Sequence, residues 1–168
     1  LDELANSRKV KVNVTRKHKL DWEALRKKTK KGMRNATLMA IAPTANIGLI
    51  AGTTPGLDPQ FAQIFSRSTL SGKFLEVNVN LVNALKAVDL WDEVKDEVLA
   101  RQGDIQGIDV IPQAIKDVYK TSFQISPYAF IEVAARAQKW VDQAISRNMY
   151  LETRNVDDYV DIYTEAWK

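Results

Sequence analysis

The stretch Ala36-Thr37-Leu38-Met39-Ala40-Ile41-Ala42-Pro43 constrains the fold more than any other part of the chain. It is apolar on both faces, shorter than an ordinary helix, and closed by a proline. That combination reads as a short, fully buried strand of a parallel or mixed sheet, which belongs to the α/β class. A buried helix is the competing reading, but the run is short and Pro43 interrupts it. Behind it comes a long loop of small residues and turn formers, Pro43-Thr44-Ala45-Asn46-Ile47-Gly48 and on to Gly52-Thr53-Thr54-Pro55-Gly56.

The remainder of the chain is mostly helical by capping and periodicity. Upstream, Asp21 is placed to cap a helix from Trp22 to about Lys31, with Gly32 as its stop. Downstream, Asn80 opens a helix with Leu81, Leu85 and Val88 in register. Asp89 and Asp92 form an acidic start for another helix, which Gly103 ends. Pro112 occupies a first helical position before Ile115, Val118 and Tyr119. Ser126-Pro127 starts the longest helix, along which Phe130, Ala134, Ala137, Val141 and Ala144 form a narrow face that calls for a close neighbour. Asn155 and Asp158 cap a last helix carrying Tyr159, Ile162, Tyr163 and Ala166. Further strands are expected at Lys9 to Thr15, where basic and β-branched residues alternate as on a sheet edge, at Phe74 to Val77, and at Asn148 to Leu151. There is no internal repeat. Residues 1–31 read as a basic, peripheral strand and helix segment, and residues 32–168 as the main unit.

Composition narrows the chemistry. At 168 residues, 45% apolar and 27% charged, the chain fits a folded domain or a slice of a larger protein, and is too short for a complete multi-domain enzyme. No apolar run approaches the roughly 18 residues of a membrane span. It begins at Leu1 without an initiator Met or a signal or transit pattern, and so reads as a piece of something longer. With no cysteine there is no disulfide framework, no thiolate metal site and no cysteine chemistry within it. The net charge of +3 conceals an asymmetry: twelve Lys and Arg lie between Arg8 and Arg34, opposed only by Asp21 and Glu23. Such a block suits a polyanion, and a non-catalytic nucleic-acid-binding module is the alternative reading of the chain; interleaved Val10, Val12, Val14, Leu20, Trp22 and Leu25 point instead to a solvated helix face and a surface hairpin.

His18, the one histidine, lies in the basic run, where it offers neither a metal site nor a catalytic triad. The clusters Asp92-Glu93, Asp96-Glu97 and Asp157-Asp158 sit at helix starts or on exposed faces, complementing the macrodipole. Tyr119, Tyr159 and Tyr163 recur at helical spacing as core anchors. The loop after the first strand is the informative feature. Ligands collect at the carboxyl ends of strands in α/β sheets, and small residues there let backbone N–H groups approach an anion. Thr44 and Asn46 add side-chain donors suited to phosphate. The spacing matches neither the Walker A nor the dinucleotide fingerprint.

The segment Gly32-Met33-Arg34-Asn35-Ala36-Thr37-Leu38-Met39-Ala40-Ile41-Ala42-Pro43-Thr44-Ala45-Asn46-Ile47 closely resembles the barrel of the ribonucleotide reductase large subunit. The resemblance continues through Ala51 to Pro59, Val77-Asn78 and Leu90-Trp91, and is strong again from Ala134 to Asn148 and at Ala166-Trp167-Lys168, in one collinear order. It implies a helix-rich segment, with a few short strands, from the later part of a ten-stranded α/β barrel that reduces ribonucleotides by a thiyl-radical mechanism. Pro43, Thr44, Ala45, Asn46 and Ile47 would then be the loop that holds the substrate diphosphate. Many members carry Thr where this chain has Asn46, whose amide still donates to phosphate, and Ser or Ala where it has Gly48.

The resemblance also places the thiyl-forming cysteine, its reducing pair and the acid-base carboxylate upstream of this segment, with the radical-path tyrosines and shuttle cysteines downstream. No catalytic residue is therefore expected in this chain, and by itself it is expected to be inactive. Implied partners are a ribonucleoside diphosphate, the remainder of the large subunit and a radical-generating small subunit. The segment itself is expected to bind no cofactor; the wording from Asp142-Gln143 to Asn148 leans toward a metal-containing small subunit rather than cobalamin as the radical source. Self-association of exposed barrel faces, a cytoplasmic location and no nucleic-acid or membrane partner complete the expectation.

Overall fold

Leu81, Leu85, Val94 and Val98 repeat at the spacing that puts them on one face of two successive helices, and the core forms where those faces meet. The computed structural model describes residues 2–9, 11 and 17–168. Its element order is α1 (Asp2–Arg8), α2 (Trp22–Thr29), α3 (Ala45–Ala51), β1 (Ile64–Thr69), β2 (Gly72–Val77), α4 (Val79–Lys86), α5 (Trp91–Ala100), α6 (Gln113–Val118), a 3-10 turn (Ser122–Gln124), α7 (Pro127–Gln138) and α8 (Val156–Trp167). No helix among the described residues is long and apolar enough to cross a membrane.

The core joins the α4 and α5 faces to Ile64 from the start of β1 and to Ile105, Ile108 and Ile111 from the turns after α5. Val77, Trp91, Ile115 and Tyr119 pack around it. β1 and β2 form an antiparallel hairpin in which Ile64 pairs with Val77 and Thr69 with Gly72. The base of this hairpin is tied in by polar groups: Asn78 N–H donates to Gln63 O (2.8 Å), Asn78 Nδ2 to Gln63 Oε1 (2.7 Å), and Gln63 Nε2 to Tyr119 O (3.1 Å). Gly103 has φ +84°, and a Cβ there would lie 2.5 Å from Gln63 Cβ, so only glycine fits beside this anchor.

Several expectations hold. Asp21 Oδ1 accepts Ala24 N–H at 2.9 Å and caps α2, Ser126-Pro127 opens α7, Asn155 Oδ1 caps α8 through Asp157 N–H, and Phe74 to Val77 lies in β2. Other boundaries move. α2 ends at Thr29, before the expected Lys31. The cap of α4 is Asn78, which accepts from Asn80 N–H, and Val88 lies beyond the helix. Asp92 is in the first turn of α5, but Asp89 stands outside it with φ 58°. Pro112 is the residue before α6 rather than its first. α7 stops at Gln138, leaving Val141 and Ala144 outside; it is no longer than α8.

Four larger corrections concern strands, loop and core. Residues 36–42 form no strand and are not buried: Leu38 is 65% exposed and Met39 60%. The run has strand propensity, but among the described residues no strand lies beside it to complete a ladder. Asn148 to Leu151 is likewise extended without pairing. The long loop after Pro43 contains α3, since Ala45, Ile47, Leu49 and Ile50 tolerate a helix before Gly52 ends it at φ 66°. Finally, Tyr159 and Tyr163 are exposed, so of the three tyrosines only Tyr119 packs against the core. The strand expected at residues 9–15 falls mostly outside the described residues.

Candidate functional site

The extended segment before Pro43 is held by one side chain. Asp142 Oδ2 accepts the N–H of Leu38 (2.6 Å) and of Met39 (2.9 Å), and Asp142 N–H donates to Met39 O (3.0 Å). The two N–H groups stabilise the anion and hold the Asp142 carboxyl below the usual carboxylate range. This clasp places the chain entering Pro43 beside the segment that follows α7.

From there the loop closes on itself. Thr44 precedes α3, its carbonyl accepting Gly48 N–H at 2.6 Å, while its Oγ1 accepts Gly56 N–H at 2.8 Å. Thr53 N–H donates to Gly48 O at 2.8 Å. Gly48 is buried against the return of the loop; a Cβ there would meet Thr54 O at 3.0 Å and Pro55 N at 3.2 Å. The close packing of α3 on residues 53–55 therefore depends on the missing side chain.

A cavity of about 260 Å³ opens on this loop. Pro43, Thr44 and Ala45 line it together with Gly56 to Asp58, with Ser146, Asn148 and Tyr150 from a segment remote in sequence, and with the apolar rings of Phe61 and Phe65. Of the five loop residues singled out in the sequence, three thus reach the cavity. Asn46 and Ile47 do not: both are exposed, Ile47 by 67%.

Sequence reasoning misses Asp58 and Arg147. Arg147 Nη2 lies 2.9 Å from Asp58 Oδ1, with both side chains less than a tenth exposed. Burial pushes the Asp58 carboxyl above its ordinary range, against the opposing pull of the Arg147 guanidinium and of Asn148 N–H. The guanidinium also lies over the Phe130 ring, 5.3 Å from its centre. The available signal is a lone acid in a Gly- and Pro-rich turn and a lone base between small polar residues; nothing in one sequence pairs them.

The basic segment is partly engaged within the chain. Arg8 Nη1 donates to Trp167 O at 3.0 Å and its guanidinium lies over the Trp167 ring, and Arg26 pairs with Glu23 at 3.5 Å.

The family model for the ribonucleotide reductase barrel domain matches residues 2–168, the basic segment included. The ribonucleoside-diphosphate reductase subunit alpha of Chlamydia pneumoniae is 39% identical over 159 residues, covering 94% of this chain and 15% of the relative. The large subunit of Caenorhabditis elegans is 38% identical over 157 residues, covering 92% of this chain and 20% of the relative. Among solved structures, the class Id ribonucleotide reductase alpha subunit of Actinobacillus ureae superposes with a TM-score of 0.65 at 27% identity, over 82% of this chain and 26% of that one. The chain therefore spans about a fifth or less of the length of these curated relatives. A match running from Asp2 to Lys168, shared by sequence relatives and by a solved fold, makes this chain a member of the ribonucleotide reductase barrel-domain family, corresponding to one part of the large subunit.

Proposed function

We propose that this chain supplies the substrate diphosphate-binding loop and one wall of the active site in a ribonucleoside-diphosphate reductase large subunit. The observation that carries the reading is the cavity on the loop, with Pro43, Thr44 and Ala45 at its edge. Thr44 Oγ1 already accepts Gly56 N–H, which orients the hydroxyl and leaves its own O–H to donate to a phosphate oxygen. Asn46 and Ile47 stand outside the lining, so their contribution is through backbone N–H groups, which in a first helical turn have no carbonyl partner of their own. In this reading the diphosphate lies toward Thr44 and the nucleoside toward the rings of Phe61, Phe65 and Tyr150 that also line the cavity.

These residues bind and orient; none is a thiol that could form a thiyl radical or deliver reducing equivalents as a dithiol. The thiol chemistry is supplied elsewhere in the large subunit, since this chain has no cysteine. Large apolar side chains near the loop, Leu38, Met39, Ile47 and Ile50, are 60% exposed or more, which supports a place against the remainder of that subunit. In this reading the radical source is a second, metal-containing small subunit rather than cobalamin; the relatives' designations as alpha or large subunits support the second subunit and do not bear on its metal.

The test is complementation. The chain is combined with the upstream and downstream remainder of the same large subunit and its radical source, and deoxyribonucleotide formation is assayed. Product that requires this chain and falls with Thr44→Val supports the reading. Folded pieces that associate without giving product, or a neutral Thr44→Val, contradict it.

A further inference from the structure

Among the described residues, the Asp58–Arg147 pair differs from every other ion pair in being buried; each of the rest has both side chains at least 38% exposed. Arg147 Nε and Nη1 are enclosed and have no hydrogen-bond partner, and Asp58 Oδ1 makes no aligned hydrogen bond. Among the described residues, Asp58 is thus the one anion paired with this buried guanidinium. A buried pair of that kind adds little net stability over apolar packing, because desolvating both charges offsets their attraction. Displacement of either partner, however, strands a charge in a low-dielectric setting, which opposes any shift of the two segments against each other.

The location gives that restraint a consequence. Asp58 N–H bonds to Pro55 O (3.1 Å), closing the turn that carries Gly56, and Gly56 N–H holds Thr44 Oγ1. Arg147 stands between Ser146 and Asn148, both of which line the same cavity as Thr44 and Gly56. Asn148 N–H also faces the Asp58 carboxylate, and the Arg147 guanidinium rests on Phe130 of α7. One ion pair therefore joins three parts of the molecule: the return of the loop, the extended 146–150 segment that also lines the cavity, and α7.

We propose that Asp58 and Arg147 are a positioning pair that sets the Thr44 loop against the 146–150 segment and thereby fixes the width of the phosphate cavity. The inference rests on the proposed diphosphate site for its ligand, but not for its mechanics. Neither residue touches phosphate; both act through Gly56 and Thr44.

The experiment measures two amide hydrogen-exchange rates in the full chain, at Gly56 in the loop and at Val98 in the core, together with the dissociation constant for pyrophosphate. The variants are Asp58→Asn, Arg147→Met and the conservative Arg147→Lys. Asp58→Asn and Arg147→Met should accelerate Gly56 exchange by about tenfold while leaving Val98 unchanged, and should weaken pyrophosphate binding. Arg147→Lys, which keeps the charge, should fall between them and wild type, and carries the test should the other two fail to fold. Unchanged Gly56 exchange, or Gly56 and Val98 accelerating together, overturns the proposal by making the pair inert or merely structural. Selective Gly56 acceleration in a chain that binds no pyrophosphate supports the positioning role and counts against the ligand.

Discussion

Asp142 Oδ2 accepts the N–H of Leu38 at 2.6 Å, and the same oxygen takes Met39 N–H at 2.9 Å. A single carboxylate thus does for this extended segment what a neighbouring strand does for a strand in a sheet, fixing its backbone through N–H groups.

The bond has a pH signature. The folded Asp142 pKa lies below the unfolded value, so its contribution is fully present above the ordinary carboxylate range and disappears as pH falls through the lowered folded value. Exchange at the Leu38 and Met39 amides should rise on acidification in that window, after allowance for intrinsic rates, and Asp142→Ala should show the raised rates at neutral pH. Rates indifferent to both changes would remove Asp142 as the clasp.

Thr44→Val keeps the shape of the side chain and deletes the acceptor for Gly56 N–H, at a cost of about 1 kcal/mol. Thr44→Ser should retain most of that stability. Urea denaturation of the two variants separates the hydroxyl from the packing, and equal losses would show that the hydrogen bond contributes nothing.

Gly48→Ala sets two effects against each other. Alanine in a helix interior gains up to about 1 kcal/mol over glycine. Against it, the added Cβ lies 3.0 Å from Thr54 O and meets backbone that Thr53 N–H ties to Gly48 O, a form of overpacking that costs about 1–3 kcal/mol. The net expectation is a loss, with residues 53–55 displaced from α3 in the variant's structure. A stabilised variant with an unmoved loop would mean the contact yields without strain.

Leu85 is fully enclosed in the core, and Leu85→Ala should cost about 2–5 kcal/mol by denaturant unfolding. Leu75→Ala, on the exposed part of β2, should change stability by less than about 0.5 kcal/mol. The contrast checks that the α4–α5 cluster, rather than the hairpin, is where the chain is held together.

The parts of this fold that are legible in the sequence are those decided locally. Asp21, Asn155 and Pro127 mark helix starts because caps are satisfied within a few residues. Residues 36–42 mislead because a strand is a relation between segments: their apolar character is plain, but the pairing partner is not among the described residues, and barrel strands draw their ladders from neighbours on both sides. Tyr159 and Tyr163 share helical spacing with buried Ile162, yet spacing alone does not say how wide the buried stripe of α8 is. In the site, Thr44 is legible as a donor in a small-residue loop. Asp58, Asp142 and Arg147 are not, since each acts on a segment remote in sequence.

Whether the Thr44 loop receives the diphosphate is decided by titrating the isotope-labelled full chain with a nucleoside diphosphate while following every backbone amide. The account predicts saturable shifts concentrated at Ala45, Asn46, Ile47 and Gly56, reproduced by pyrophosphate, absent with the nucleoside alone and reduced by Thr44→Val. Shifts confined to the basic residues between Arg8 and Arg34, fading with salt and indifferent to Thr44, would contradict it and restore the polyanion-binding alternative.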